Sequence, residues 1–226
     1  MRPSRPDAEM HSARVYIYVV ARDFGFAPNP FHGVCTLATC KPRIRNAARV
    51  GDWVFGVGGT KLKAVGRCVF AMKVTDAISF GAYWSDPKYF DKRPVRNGSR
   101  KMILGDNIYH LAEDGAWRQA DSHHSQPDGS ADPHNVQRDT SADRVLISRH
   151  FYYFGGEAPT IPLVHLSAIG FQNAIGHRVY PLSQCEDLVH WLETTYLREL
   201  NTVFAVPFQF RQSTARYSVR SDRIVA

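Results

Sequence analysis

The sequence lacks any apolar run of the ~18 residues needed to span a bilayer, and its N-terminus lacks the apolar core of a signal peptide. These two absences argue against a membrane or secreted protein and predict a cytoplasmic one without a membrane partner. The 226 residues instead have an ordinary globular composition, with 44% hydrophobic and 22% charged residues. A chain of this size buries enough surface to fold without disulfide bonds.

Cysteine is scarce, and its spacing gives no metal motif. Among the four cysteines only Cys35 and Cys40 are close, and their C-x4-C spacing has no second pair to complete a zinc site. No H-x-x-x-H or H-E-x-x-H motif is present, so we predict neither a metal nor any other cofactor. Cys35, Cys68 and Cys185 are expected to be buried core thiols.

Short strands dominate the predicted secondary structure. β-branched and aromatic clusters, separated by turn residues, predict strands at 15–21, 34–39, 53–57, 65–75, 144–148 and 151–154. Short helices are expected near 44–48 and 78–84, and a longer one after a capping-box pattern that starts at Ser183. We therefore predict an α+β fold, with a bent antiparallel sheet or small β-barrel and a C-terminal helix.

The chain is expected to form a single domain over residues 14–200. Residues 119–142 contain almost no large apolar side chain, which is typical of a surface loop or lid. The polar segments 1–13 and 211–226 are expected to be flexible termini.

The overall net charge of +7 hides two regions of opposite sign. Residues 41–101 contain 14 lysines and arginines against 4 acids, a net charge of +10. Residues 106–143 contain 2 basic and 8 acidic residues, a net charge of −6. The basic region also holds aromatic residues, and cations beside flat rings are what nucleic-acid sites use. A solvated charged face is the alternative.

The segment CKPRIR at 40–45 is the densest basic element. Lys41, Arg43 and Arg45 are candidate phosphate ligands, because lysine and arginine bind phosphate oxygens; the alternative is exposed residues in a turn. Trp53 is either a core residue or a ring that stacks on a base.

The segment GDNIYH at 105–110 supplies further candidates. Asn107 would pair with a base edge and Tyr109 would stack on a ring, whereas an ordinary turn that opens a strand is the alternative.

Nucleophilic and acid–base candidates come from the same segments. Lys41 and Arg43 flank Cys40 and would lower its pKa, and His32 lies eight residues upstream as a possible base. Asp106 and His110 are a second candidate pair for acid–base catalysis. The adjacent His123 and His124 are expected to be exposed loop residues. No G-x-S-x-G or P-loop motif is present, which argues against a serine hydrolase or a nucleoside triphosphatase.

Three stretches together resemble a known family: YIYVVARDFGFAPNPFHGVCTLATCKPRIRNAARVGDWVFGVGG, GDNIYH, and DTSADRVLISRHFYYFGG. They are similar to a nucleotide-modification-associated domain of the second type, over about residues 14–200. The segment ARVGDWVFGVGG also resembles pseudouridine-synthase-and-archaeosine-transglycosylase-like barrels. The resemblance implies association with DNA base modification in bacteria or phages and recognition of modified or flipped bases. It assigns no residue a role.

Three functional hypotheses follow. The first is a domain that binds nucleic acid or a modified nucleotide. The alternative is an enzyme acting on nucleotides or modified bases through Cys40 and His32, or through Asp106 and His110. A third is a module that binds partner proteins of a modification or defence operon through its basic face.

Overall fold

The computed structural model describes residues 12–225. Residues 1–11 and 226, which belong to the termini predicted to be flexible, lie outside this range. The strands of this part of the chain are β1 (Arg14–Val20), β2 (Cys35–Leu37), β3 (Trp53–Gly58), β4 (Cys68–Lys73), β5 (Asp76–Ile78), β6 (Tyr109–Leu111), β7 (Trp117–Gln119), β8 (Val145–Ser148), β9 (His150–Tyr153), β10 (His177–Pro181), β11 (Arg216–Ser218) and β12 (Arg223–Val225).

The α-helices are short and lie between the strands. They are α1 (Pro42–Ala47), α2 (Phe80–Ser85), α3 (Arg100–Ile103), α4 (Pro133–Thr140), α5 (Leu163–Ala168) and α6 (Glu186–Thr195). Within residues 12–225, no helix is long and apolar enough to cross a membrane.

The main sheet is mixed, with the strand order β10-β1-β3-β4-β9. β1 pairs with β3 in parallel, with Val15 opposite Trp53, and the other neighbours are antiparallel. The sequence predicts antiparallel pairing throughout. β1 and β3 depart from this because the long connection through β2 and α1 provides the crossover that parallel strands require.

The main sheet carries an irregularity where β3 pairs with β4. Their register shifts between Gly56 and Val57, and a bulge of this kind bends a strand. A Cβ atom at Gly56 would overlap the ring of Phe70, so the close packing at this point requires glycine. The predicted α+β fold is confirmed and a bent sheet fits it, whereas no barrel closes within the described residues.

Two apolar cores lie on the two sides of the segment that contains β2. The larger core belongs to the main sheet and α6, and the smaller one forms around Phe24, Phe26, Phe80 and Tyr109. Cys35, Cys68 and Cys185 are buried as predicted. Burial raises the pKa of the Cys35 thiol to about 12 and that of Cys185 to about 11, so these thiols remain protonated.

Three segments differ from the sequence-based expectation. Residues 119–142 include α4 and bury His123, His124 and Asp139, because hydrogen bonds between polar groups replace apolar contacts there. Within 211–225, residues 216–225 form the hairpin β11–β12, whose Tyr217 donates its backbone N–H to His123 O. α6 begins after Cys185 without a side-chain cap, so the predicted capping box does not form.

Candidate active site

Cys40 lies on a tight turn between β2 and α1. Both Cys40 (φ 56°) and Lys41 (φ 44°) adopt the left-handed conformation, which is uncommon for residues other than glycine and costs free energy. Pro42 then starts α1 in a position where no backbone N–H is needed. The backbone N–H of Cys40 donates to Asp139 Oδ1 at 2.9 Å, which holds the turn in place.

The thiol of Cys40 faces two basic side chains. Its Sγ lies 3.7 Å from His124 Nε2 and 3.5 Å from Arg138 Nη2. Cys40 is partly exposed, whereas His124 is almost completely buried. The thiol is therefore accessible while its basic partner is shielded from water.

Asp139 holds the far side of the His124 ring. Its Oδ2 lies 2.8 Å from His124 Nδ1 and accepts a hydrogen bond from the Tyr109 hydroxyl at 3.0 Å. Its Oδ1 accepts from Arg138 Nε at 3.0 Å, in addition to the Cys40 N–H. Each carboxylate oxygen thus has two partners, an arrangement that stabilises the ionised carboxylate and fixes its position.

The pKa shifts agree with this arrangement. Burial alone would raise the pKa of Cys40, but the positive charges of Arg138 and His124 outweigh it and lower the pKa. Burial would lower the pKa of His124, but Asp139 and the thiolate raise it to about 9. Asp139 has a pKa well below its usual range, because His124 and Arg138 outweigh the effect of burial. These directions favour negative charge on the Cys40 thiol, positive charge on the His124 ring and an ionised Asp139.

Two amides fix the backbone of His124. Gln119 Nε2 donates to His124 O at 3.0 Å, and Asn135 Nδ2 donates to the same oxygen at 2.8 Å. Asn135 also binds Tyr217 O at 2.7 Å, which ties the C-terminal hairpin to this position. The imidazole is therefore held at both its ring and its backbone.

A nucleophile beside a base, with the base oriented by a carboxylate, is the arrangement of Cys-His-Asp catalytic sites. Cys40, His124 and Asp139 also present ligand atoms within 4.8 Å of one another, so they are a candidate metal cluster. The geometry favours the catalytic arrangement. Asp139 contacts Nδ1, on the side of the ring opposite the thiol, and the Arg138 guanidinium beside Sγ disfavours a second cation there.

The thiol opens into a cavity of about 430 Å³. Its lining contains four cationic side chains, those of Arg22, Lys41, Arg43 and Arg138, and no carboxylate. Arg22 is paired with Asp222, whereas Lys41 Nζ lies 4.3 Å from the centroid of the Tyr18 ring. The other lining residues are mainly apolar or aromatic: Tyr18, Val19, Val20, Ala21, Phe24, Phe26, Ala27, Cys40, Pro42, Ile44, His123, His124, Gly176, His177 and Tyr217. The cavity therefore favours an anion with a flat apolar part.

Comparison with known proteins identifies one family. The sequence pattern of nucleotide modification associated domain 2 matches residues 12–214, which is most of the chain. The chain belongs to this family. No curated protein and no solved structure matches it. The similarity to pseudouridine-synthase-type barrels is not supported.

Within this nucleotide modification associated domain, the predicted phosphate ligands separate into two groups. Lys41 and Arg43 line the cavity, and Arg43 is exposed. Arg45 is completely buried, and its guanidinium donates to the backbone oxygens of Cys40, Asp139, Ala142 and Arg144. Arg45 has no free face for a phosphate. It instead holds the Cys40 turn against the end of α4.

The predicted base-contacting residues do not meet in the cavity. Trp53 is 1% exposed and belongs to the larger core. Asn107 is buried and donates to Tyr83 O and Tyr89 O. Tyr109 is also buried, and its hydroxyl supports Asp139. The side chains of these three residues therefore contact other parts of the protein and do not line the cavity.

The acid–base partners predicted from sequence also lie elsewhere. His32 is exposed and does not line the cavity, so the base near Cys40 is His124. Asp106 is buried, where it accepts hydrogen bonds from Thr36 and Tyr83. The ring of His110 stacks on Trp84 at 4.1 Å. Sequence reasoning missed His124 and Asp139 because the polar segment that contains them suggested an exposed loop.

Proposed function

We propose that this chain is a cysteine-dependent enzyme that acts on a nucleotide by covalent catalysis at Cys40. The observation that supports this most strongly is the Cys40–His124–Asp139 arrangement at the wall of a cation-lined cavity. The family supplies the nucleotide connection, and Lys41 and Arg43 provide positive charge for its phosphate.

The chemistry follows from the protonation states. The Cys40 thiolate attacks an electrophilic acyl carbon of the substrate and forms a thioester. His124 gives its proton to the departing group, and then removes a proton from water or an amine that displaces the thiolate. Asp139 keeps the imidazole oriented and stabilises its positive charge. Arg138 stabilises the thiolate and the negative charge that develops beside it. The reaction is thus hydrolysis or acyl-group transfer.

The size of the cavity is suited to one nucleotide. A volume of about 430 Å³ lies within the range of small-molecule sites. If the nucleotide belongs to DNA or RNA, it must be unstacked first, which costs a few kcal/mol. Contacts from Lys41 and Arg43 to phosphate would offset this cost and make nucleic-acid binding sensitive to salt. If the affinity for a DNA oligonucleotide depends on salt no more steeply than that for a deoxynucleoside monophosphate, the substrate is restricted to free nucleotides.

The first experiment measures the reactivity of the Cys40 thiol towards an alkylating reagent. Iodoacetamide at neutral pH is expected to modify Cys40 selectively, because the three buried cysteines are protonated and inaccessible. His124→Ala should slow this reaction by about 100-fold, whereas His32→Ala should leave it unchanged, since His32 lies outside the cavity. Equal effects of the two substitutions would contradict the proposed pair.

The second experiment tests the covalent step. We use N4-acetyl-deoxycytidine 5′-monophosphate as a probe with an acyl carbon on the base. Intact-protein mass spectrometry is expected to show an acetyl thioester on Cys40, or release of acetate and deoxycytidine monophosphate. Neither product should form with Cys40→Ala. If the protein selectively alkylates at Cys40 but gives neither product with any acylated nucleotide, acyl chemistry is wrong.

A further inference from the structure

His123 lines the cavity next to the catalytic histidine and contacts two phenylalanines. Its ring centroid is 4.5 Å from that of Phe24 and 5.1 Å from that of Phe26. The residue is only 4% exposed, but it lines the cavity. The polar imidazole ring of His123, packed against these two phenylalanines, therefore forms part of the cavity wall and can contact a bound ligand.

The hydrogen bond of His123 fixes its tautomer. Nδ1 lies 2.6 Å from the backbone oxygen of Ala215. A carbonyl oxygen has no proton to give, so Nδ1 must carry the hydrogen and donate it. Burial and the adjacent positive His124 lower the pKa of His123 to about 3, which keeps the ring neutral. Nε2 is consequently an unprotonated acceptor.

This acceptor has no partner in the part of the chain that the structure describes. No described residue hydrogen-bonds to His123 Nε2, and the atom is not among the polar atoms sealed from solvent. By contrast, the side chains near the thiol, Lys41, Arg43 and Arg138, can only donate hydrogen bonds. The cavity thus offers cationic side chains that suit phosphate and, at His123, a fixed acceptor beside two phenylalanine rings.

We propose that His123 Nε2 accepts a hydrogen bond from an N–H group on the edge of the substrate's base, and that His123 is a specificity-determining residue. The inference rests on the proposed function, since it takes the nucleotide as the occupant. Phe24 and Phe26 provide flat apolar walls for the heterocycle. A bound base that lacks the N–H would cover Nε2 without offering it a partner, which is a penalty for an acceptor removed from water.

The test measures binding in Cys40→Ala, so that turnover does not interfere. The probes form three pairs in which one member lacks an N–H donor. They are deoxycytidine monophosphate with its pyrimidin-2-one analogue, deoxyadenosine monophosphate with its purine analogue, and thymidine monophosphate with its N3-methyl derivative. For at least one pair, we expect the Kd of the donor-less member to be about tenfold higher.

Two substitutions of His123 complete the test. His123→Asn keeps an N–H that can donate to Ala215 O but removes the acceptor at Nε2. His123→Phe keeps the aromatic packing and also lacks the acceptor, so it serves if the first variant is unstable. In either variant, combined with Cys40→Ala, the two members of the pair should bind within about twofold of each other.

Three results would overturn the inference. The first is equal affinity for both members of every pair, and the second is a preference that persists in both His123 variants. The third is absence of binding by every nucleotide, which would also overturn the nucleotide assignment in the proposed function. In that case selective, His124-dependent alkylation of Cys40 would still identify a reactive thiol, so the two failures are distinguishable.

Discussion

Asp139 Oδ1 accepts the backbone N–H of Cys40 at 2.9 Å, although 99 positions separate the two residues in sequence. The carboxylate that orients His124 thus also holds the turn that presents the thiol. It follows that nucleophile and base are aligned by a single group, and that this group cannot be changed without affecting both.

Replacing Asp139 by asparagine is expected to reduce the reactivity of Cys40. Asparagine has one acceptor oxygen instead of two, and it has no charge to raise the pKa of His124. We expect the iodoacetamide rate at neutral pH to fall by about 100-fold, because the thiolate loses its imidazolium partner. Asp143→Asn is the matched control, since Asp143 is exposed and binds the Phe80 N–H instead. An unchanged rate in Asp139→Asn would contradict the role of the carboxylate.

The pH dependence of the free energy of unfolding should show whether His124 is protonated in the folded protein. Its folded pKa of about 9 lies above the value of about 6.5 for an unfolded histidine. A raised pKa means that the proton stabilises the folded state, so the contribution is complete below pH ~6.5 and is lost as the pH rises towards 9. The Cys40→Ala background removes the opposite contribution of the thiol to the pH dependence. It also removes the part of the His124 pKa shift that the thiolate causes, so that the remaining upward shift is due to Asp139.

Urea unfolding at several pH values provides the measurement. The free energy of unfolding of Cys40→Ala should decrease as the pH rises above ~6.5, relative to that of Cys40→Ala combined with His124→Gln, because Asp139 still raises the pKa of His124. Lys92, whose pKa burial lowers to about 8, titrates in both proteins, so the comparison cancels its effect. Parallel pH profiles would show that His124 is not charged in the folded protein.

Arg43 is expected to contribute to phosphate binding without supporting the fold. It is exposed, lines the cavity and makes no hydrogen bond to any described residue. Arg43→Ala should raise the Kd for deoxynucleoside monophosphates about tenfold and weaken its dependence on salt. Arg198→Ala, at an exposed position outside the cavity, should change the Kd less than twofold. Similar effects of both substitutions would mean that only overall charge matters.

Asp106 should affect stability and not chemistry. It is completely buried, accepts hydrogen bonds from Thr36 and Tyr83 at 2.8 Å each, and lies close enough to the buried Lys92 for their charges to interact. Asp106→Ala would leave these groups unpaired, and we expect it to lower the free energy of unfolding by about 3 kcal/mol. The alkylation rate of Cys40 in the folded protein should be unchanged. A loss of reactivity in a fully folded variant would restore Asp106 as a catalytic candidate.

The strands could be predicted from sequence because their β-branched and aromatic residues cluster between turn residues. The prediction was close for β1 and β3, whose cores are Tyr16, Ile17, Val54 and Phe55. The parallel pairing of these two strands could not be predicted, because it depends on the path of the connection and not on local composition.

The site could be predicted only in part. Cys40, Lys41 and Arg43, which line the cavity, are candidates from the sequence because basic residues near a cysteine are visible there. His124 and Asp139 are not, because they are 84 and 99 positions away and lie in a polar segment. Burial of that segment depends on hydrogen bonds such as those of Asn135, which leave no periodic apolar pattern. The Asp132 cap and Pro133 at the start of α4 were the local signal available.

The wall of the cavity combines segments from position 18 to position 217, including the hairpin residue Tyr217. In the unfolded chain these segments separate, His124 and Arg138 leave the thiol, and Cys40 returns to ordinary cysteine acidity. The pattern of labelling should therefore reverse on denaturation, from one fast-reacting cysteine to four similar ones. Cys40 thus acts as an intrinsic reporter of native structure. Its labelling rate measures the folded fraction of any variant that keeps Cys40, His124, Arg138 and Asp139, without knowledge of the substrate.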